Sequence, residues 1–541
     1  MDKTSNIPGR GFTLSPDEAL VQYDIVNDCI YTESVGDFVL PDYLPEIRRI
    51  LRVSSRILPA GKYIGGAKAE FAGTVVHSVI YTGETGALAA ANLSSDYEFS
   101  VPLGEQAQNC DPIVYAKSEI DSVVCRLGGP RKLSIRTKIK ACPHILCQQS
   151  LEERIEGRET AEDEFSIERL TRNEKTMHTA YGAMQDIQLS DNIKLDGRDA
   201  ANVQPVQCEG VVHIVESKAT NGGVNVRGEV WIRCLCNEQG EEEVHPFLIT
   251  RRIPFDQFVE IEGVTKDYES RTIGRCSAID IVCDPEGAGG MTCDVTIDLE
   301  TEAVKNEGIT LTEDLYSTQY QCDCEYRDVV LTSLVRCTEG NFSVSGSMER
   351  TEGDAARAVA VVDIGGSAQV ESMDLSHGRC IISGTCKINA LLLCAPENPE
   401  SNSSNELTNA EFIFPFKVEF ENVEVGGQYE WDCPAEIITG RGRLDGNQLY
   451  ADMEIALCPR IIEKKKIRTI ARARLNKDMP VEKDGASLRI YYPEQRETLW
   501  EVAKRHHASR KVLAELNELD AISMNDCNCC HSLDGLSYLI I

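Results

Sequence analysis

The chain has 541 residues, more than one hydrophobic core can serve, since single cores stop growing at ~250–300 residues. Apolar residues make up 42% and charged residues 26%, the balance of a folded protein rather than a disordered one. Fifty-five basic against 87 acidic side chains leave a formal charge of −32, which repels phosphate backbones and argues against nucleic acid as a partner. No apolar run approaches the ~18–20 residues of a membrane helix. The opening MDKTSNIPGRGFTLS lacks the apolar stretch of an export signal, so a cytoplasmic protein is expected. The 22 cysteines then read as reduced thiols acting as small buried hydrophobes. Later cross-linking in an assembled shell is the alternative.

Internal repetition organises the rest. A strand with a glycine, FAGTVVHSVIY at Gly73, is echoed by VRGEVWIRCLC at Gly228 and ISGTCKINALLL at Gly384, at offsets of 155 and 156 residues. Two, four, six and eight residues beyond each glycine lie Val75, His77, Val79 and Tyr81, then Val230, Ile232, Cys234 and Cys236, then Cys386, Ile388, Ala390 and Leu392. This period of two sets one face of each strand against a core. Two further anchors follow: Pro102-Leu103, Pro254-Phe255 and Pro415-Phe416, then Ile139, Ile297 and Ile455. The expectation is a mainly β protein: three tandem β-sandwich or barrel-like repeat units over 1–165, 166–318 and 319–480. Glu152–Lys175 is expected to be helix or linker, and PENPESNSSNELTN a solvated loop.

After Asn476 the pattern changes. LRIYY is strand-like, and RETLWEVAKRHHASRKVLAELNEL has helical periodicity. Thr498 with Glu501 forms a capping box. Leu499, Val502, Ala503 and His506 share one helix face. Ser509 is placed to cap a second helix, whose Val512, Leu513 and Leu516 are expected to point inward. With a final YLII strand, residues 485–541 make a small α+β (βααβ) domain.

Tyr491, Thr498-Leu499-Trp500, Val502-Ala503-Lys504-Arg505, Ser509, Leu513, Leu516-Asn517, Gly535 and Leu539-Ile540 resemble the LysM motif in order and spacing. The resemblance implies a groove for N-acetylglucosamine polymers between the loops Glu494–Leu499 and Asp520–Gly535. Its candidate contact residues are Arg496, Glu497, Thr498, Leu499, Trp500, Asn528 and His531, with Trp500 a possible exposed anchor. Two departures fall in those loops: Arg496-Glu497 stands where LysM domains usually have Gly-Asp, and the second loop carries Cys527-Asn528-Cys529-Cys530-His531.

LPDYLPEIRRILRV (Leu40–Val53) with the G-x-V strand after it resembles the opening of the SPOCS domain of endospore-forming bacteria, most clearly in the first unit. EDLYSTQY (Glu313–Tyr320) resembles another phrase of that family. SPOCS units ending in a LysM domain resemble a family of spore-coat assembly proteins. That resemblance implies a scaffold in the mother-cell cytoplasm, at the forespore surface and spore coat. Its LysM domain would dock on the coat basement ATPase, stage IV sporulation protein A. The alternative is a peptidoglycan-binding protein of the wall or cortex that grips N-acetylglucosamine polymers.

No Walker A loop, HExxH, G-x-S-x-G elbow or dinucleotide fingerprint occurs, so neither an enzyme nor a cofactor is expected. Cys527, Cys529, Cys530 and His531 have the softness of zinc ligands, but no second ligand pair stands nearby, and an ordinary loop is the expectation. Cys142-Pro-His-Ile-Leu-Cys147 places a histidine between thiols, a pattern that unpaired core or loop residues explain about as well. The basic run Lys464-Lys465-Lys466, Arg468, Arg472, Arg474 reads as one strand face, or else as a patch for an acidic partner or an anionic membrane surface.

Overall fold

The computed structural model describes residues 12–13, 20–25, 28–84, 86–104, 107, 110–151, 153–156, 166–195, 197–240, 244–284, 290–350, 353–376, 378–396, 405–421, 427–482, 488–519, 533 and 536–541. The first stretch of chain forms β1 (Phe12–Thr13), β2 (Leu20–Asp24), β3 (Ile30–Val39), β4 (Arg49–Ile57), β5 (Gly61–Gly65), β6 (Lys68–Thr82), β7 (Leu88–Pro102), β8 (Ile113–Gly129), β9 (Lys132–Ser150) and β10 (Arg154–Glu156). The second forms β11 (Ile167–Lys194), β12 (Val203–Thr220), β13 (Gly223–Gln239), β14 (Val244–Glu260), β15 (Glu269–Asp284) and β16 (Gly290–Ser317). The third forms β17 (Tyr320–Cys337), β18 (Gly340–Glu349), β19 (Ala358–Ser376), β20 (Arg379–Cys394), β21 (Glu406–Glu421), β22 (Gln428–Asp432), β23 (Ala435–Asp445), β24 (Gln448–Leu457) and β25 (Arg460–Pro480).

The second stretch shows the plan in its simplest form. A meander β12-β13-β14 makes one sheet, and β11-β16-β15 makes the other. Val230 and Ile232 of the first sheet share a core with Ile297 and Leu299 of the second. The first and third stretches repeat this wiring with interrupted strands: β2 and β3 replace one long strand beside β9, while β17-β18 and β24-β25 divide the corresponding pair. All twelve residues expected on the core face of the glycine strands are buried. His77 is the polar one among them. It is accommodated because its two ring nitrogens meet Ser55 Oγ and Ser95 Oγ, each at 2.8 Å.

The repeat reaches down to single irregularities. Ile139, Ile297 and Ile455 pair with Ile120, Cys276 and Ile437, and immediately beyond each rung one extra residue bulges, at Asp121, Ser277 and Ile438. Each repeat glycine lies opposite an aromatic residue of the next strand: Gly73 opposite Tyr97, Gly228 opposite Phe255, Gly384 opposite Phe416. The rings cover the bare backbone, the device that compensates glycine in a strand. This register corrects one anchor. Tyr97, not Pro102-Leu103, is the first-unit counterpart of Phe255 and Phe416, because Pro102 pairs with Lys68 at the start of β6, five residues before Gly73.

The three sheet pairs close on one another rather than stringing out. β7 lies against β12, β14 against β19 and β21 against β4, so that each meander meets the next and the last returns to the first. At their meeting point Leu51 and Ile80, Val206 and Leu235, Val362 and Leu391 gather into one apolar cluster with Leu88 and Leu407. Ile80, Leu235 and Leu391 each stand seven residues beyond their repeat glycine. Beside the cluster, Arg52 of β4 donates to the buried Asp363 of β19 at 2.7 Å, and Arg233 of β13 pairs with the same carboxylate. One ion group thereby ties together all three repeats.

A second meeting point is fully polar. Five residues beyond Ile139, Ile297 and Ile455 lie His144, Glu302 and Arg460, and their cross-strand partners are Tyr115, Arg271 and Asp432. Glu302 accepts from Arg271 at 2.7 Å and from Arg460 at 3.0 Å, and lies 3.0 Å from Lys117; Asp432 pairs with Lys117 and Arg271, both at 2.8 Å. Burial pushes the Glu302 carboxyl up, yet Arg460, Lys117 and Arg271 together hold it well below the usual range. Burial, with Arg271 and Arg460 alongside, lowers Lys117.

Two further expectations are corrected here. From Ile167 onward the stretch expected as helix or linker is strand β11. Cys142 and Cys147 are not unpaired: they are disulfide-bonded to Cys29 and Cys110, against the expectation of reduced thiols in the first unit. The basic run, by contrast, is a strand as expected, β25, and its charges are answered from within, Lys464 by Glu430, Lys465 by Glu174, Lys466 by Asp328 and Arg472 by Glu156. Arg468 lies over the Tyr326 ring at 4.0 Å. At the end of the first stretch, β10 joins β25 in parallel within a sheet of the third repeat. No helix among the described residues is long and apolar enough to cross a membrane.

Candidate functional site: the C-terminal module and its seat

The C-terminal module consists of β26 (Ile490–Tyr491), α1 (Leu499–Arg505), α2 (Arg510–Leu516) and β27 (Leu539–Ile540), with β26 and β27 paired antiparallel. The capping box forms in full, Thr498 Oγ1 accepting from the Glu501 amide at 3.2 Å and the Glu501 carboxylate accepting from the Thr498 amide at 2.8 Å. Ser509 occupies the N-cap of α2 but makes no side-chain cap hydrogen bond. Asn517 is the module's clasp: its Nδ2 donates to Ile540 O at 2.8 Å and its Oδ1 accepts from Ile540 N at 2.6 Å, which fixes β27 to the end of α2. The inward face of α2 is Leu513 and Ala514. Val512 and Leu516, expected to point inward, are 51% and 53% exposed, because a seven-residue helix against a two-stranded sheet has only a narrow stripe to bury.

The loop before α1 carries the first group of candidate contact residues. Arg496 is exposed and sits at φ +65, the left-handed region that the more usual glycine enters freely and a long side chain does not. Glu497 is turned inward, accepting from the Tyr491 hydroxyl at 2.9 Å and the Glu494 amide at 3.0 Å and pairing with Arg505 at 2.7 Å. Burial raises its carboxyl, but the Glu494 amide, Tyr491 and Arg505 hold it below the usual range. Its role is to close the loop. Thr498 caps, and Leu499 is core. Asn528 and His531, with Cys527, Cys529 and Cys530, lie outside the described residues.

Replacing Arg496 by glycine is therefore expected to raise the module's stability by about 1 kcal/mol through relief of left-handed strain. Denaturant unfolding followed by a fluorophore placed in the module would check it; a loss of stability would show that Arg496 is held there by contacts worth more than the strain.

Trp500 is 7% exposed and faces the repeats. Its indole Nε1–H donates to Asp314 at 3.0 Å, and its ring meets Tyr316 edge-on at 5.0 Å. Lys504 pairs with Asp314 at 2.6 Å, the Tyr316 hydroxyl donates to Ala508 O at 2.7 Å, His507 Nδ1 lies 2.8 Å from Ser317 O, and Arg510 lies 3.5 Å from Glu168. Burial raises the Asp314 carboxyl, while hydrogen bonds from Lys504, Trp500 and Tyr326 bring it below its ordinary value. The platform is the end of β16, within the phrase EDLYSTQY. Sequence reasoning picked out both partners but not their contact, since they are 186 residues apart.

The described residues hold no group of three or more histidine, cysteine, aspartate or glutamate side chains placed to bind a metal ion. What the module offers is a small surface seated on a much larger body through Trp500, Lys504, His507 and Arg510.

Comparison with known proteins locates the second repeat. No curated protein and no solved structure matches the chain. Residues 199–286 match the family model described as SipL, SPOCS domain. The matched stretch is the meander β12-β13-β14 with β15, whereas the sequence resemblance was clearest in the first repeat. This stretch, about a sixth of the chain, is thus similar to the SPOCS domain of SipL, a similarity that points toward a sporulation-related protein.

Proposed function

We infer that the protein is a non-enzymatic scaffold of endospore coat assembly. Its C-terminal module, read as a LysM domain, docks on a coat morphogenetic protein at the forespore surface in the mother cell. The observation that carries this reading is the SPOCS match at residues 199–286. The order of the chain supports it, with repeats of one β plan ending in one small βααβ module. The partner proposed, from the resemblance, is the coat basement ATPase, stage IV sporulation protein A.

The loop supports protein rather than sugar as the ligand. Arg496 places a long cation where the glycine of a sugar groove allows close backbone approach. Glu497 is spent on Tyr491 and Arg505, and Trp500 is covered by Tyr316. The partner contact is accordingly assigned to Arg496, Thr498 and the loop that carries Asn528 and His531.

The test is a titration of the full chain against that ATPase and, separately, against N-acetylglucosamine oligomers. Saturable binding of the ATPase, weakened roughly tenfold (about 1.4 kcal/mol) by Arg496→Glu, is expected. Binding of the sugar alone would move the protein to the peptidoglycan-binding class. ATPase affinity unchanged by Arg496→Glu would remove the first loop from the contact.

A further inference from the structure

A groove of about 1140 Å3 separates the second and third repeats, and nothing in the module contributes to it. One side is β14, with Trp231 of β13 behind it. The other is a single rung across β18, β24 and β23, where Val344, Met453 and Gly440 stand side by side. Among the described residues β14 pairs only with β13 and β18 only with β24. β14 also lies against β19 and β11, and β18 against β21, so a further strand can use main-chain donors and acceptors only where the groove borders them, at Leu248 and Thr250–Arg252 of β14 and Ser343–Ser345 of β18.

The charges in this groove run against the rest of the molecule. Arg251, Arg252 and Arg441 line it, against Asp452 and Glu454, in a chain of net charge −32. Arg251 is held by Asp191 at 2.6 Å, Arg252 lies over the Trp231 ring at 4.8 Å and 3.9 Å from the Glu229 carboxylate, and Asp452 lies 3.8 Å from Arg443. Arg441 is exposed, and no ion pair or hydrogen bond engages it among the described residues. The Trp231 indole N–H is buried and has no acceptor. A buried donor without a partner is costly, and an arriving carbonyl or carboxylate would remove that cost.

We propose that this groove binds an extended acidic segment of a partner protein, laid along the stretch of β14 that lines it, Leu248–Arg252. Carboxylates of the segment meet Arg441 and Arg252, and one oxygen accepts from Trp231 Nε1. Charge selects this occupant. A second copy of the chain would bring another −32 against the same acidic body, whereas a short acidic strand brings few charges, to a groove where Arg251, Arg252 and Arg441 outnumber Asp452 and Glu454. Such a site gives the repeats, which are most of the mass, a binding role separate from that of the module.

The experiment uses the full chain and a fluorescein-labelled octapeptide of alternating glutamate and valine, with its lysine–valine counterpart, read by fluorescence polarisation. Saturable binding of the acidic peptide alone is expected, weakened roughly tenfold by Arg441→Glu and several-fold by Trp231→Phe, which keeps the ring and deletes only the donor. Because Arg441 is exposed, its variant is expected to fold normally, and circular dichroism checks this. Equal binding of both peptides, no saturable binding of either, or acidic-peptide binding indifferent to Arg441→Glu overturns the proposal. So does self-association by sedimentation that blocks the peptide, since a second copy would then be the occupant.

Discussion

Glu302→Gln is expected to lower the thermal midpoint by about 10 °C, taking ~3–5 kcal/mol for breaking a buried ion group and ~2–4 °C per kcal/mol for a fold of this size. Glu302 is buried and answers Arg271, Arg460 and Lys117, cations drawn from all three repeats. Removing its charge leaves three cations around the single carboxylate Asp432. Hydrophobic packing elsewhere cannot compensate, because the cost is that of buried positive charge and not of a lost contact. The pH dependence follows in sign. Both carboxyls are held below their ordinary values of 4.5 and 3.8. Their contribution is therefore complete above those values and is lost as the pH falls through and below them. The difference between wild type and Glu302→Gln should be full at pH 7 and should narrow steadily below about pH 4.5. Calorimetry at several pH values checks both statements; a shift under 2 °C at pH 7 would show that the polar meeting point does not hold the repeats together.

The second large effect comes from the repeat glycines, and it is graded. A Cβ on Gly384 would stand 2.2 Å from the main-chain oxygen of Gln369 and 2.6 Å from Phe416 Cζ. On Gly228 it would stand 2.6 Å from His213 O and 2.5 Å from Phe255 Cζ; on Gly73 the nearest atoms belong only to the Tyr97 side chain, at 2.7 Å and beyond. A ring can turn aside, but a paired strand's carbonyl cannot without breaking its ladder. Alanine at Gly384 and Gly228 is therefore expected to cost ~1–3 kcal/mol or more, and alanine at Gly73 less. Denaturant unfolding of the three variants gives the order. Gly73→Ala as the most damaging of the three would contradict the reading that backbone approach sets the requirement.

The core faces of the repeats were legible because a two-residue period survives even where the residue types change from valine to cysteine to alanine. Closure was not legible, although its signals lay in the open. Ile80, Leu235 and Leu391 stand on the face away from the core at one position in all three copies, and an apolar residue on a mixed face that also carries Val76, Trp231 and Leu393 reads as noise until two more copies meet it. The polar meeting point was harder still. Its equivalent positions hold Tyr115, Arg271 and Asp432, then His144, Glu302 and Arg460. These complement one another across repeats and so share no residue type to be matched. The Pro102-Leu103 anchor misled because proline before an apolar residue is a commoner pattern than the aromatic-on-glycine contact that in fact recurs.

In the module, the capping box was readable from Thr498 and Glu501 alone, since the contact is local. Trp500 was not, because a surface-seeking and a body-seeking tryptophan look alike until Asp314 and Tyr316 are brought beside it. The same contact makes the scaffold reading mechanically sensible. A module held by Trp500, Lys504, His507 and Arg510 presents its remaining faces in one fixed direction.

Small-angle X-ray scattering of the full chain tests the closed arrangement of the repeats most directly. A compact body of 541 residues has an expected radius of gyration of about 24 Å from the size scaling of folded domains. That is the value predicted if β7, β14 and β21 each meet the next meander and the ring closes. Three repeats strung end to end, each with a radius of gyration near ~15 Å by the same scaling, would exceed about 30 Å and show an elongated distance distribution. A value in that range would contradict the account.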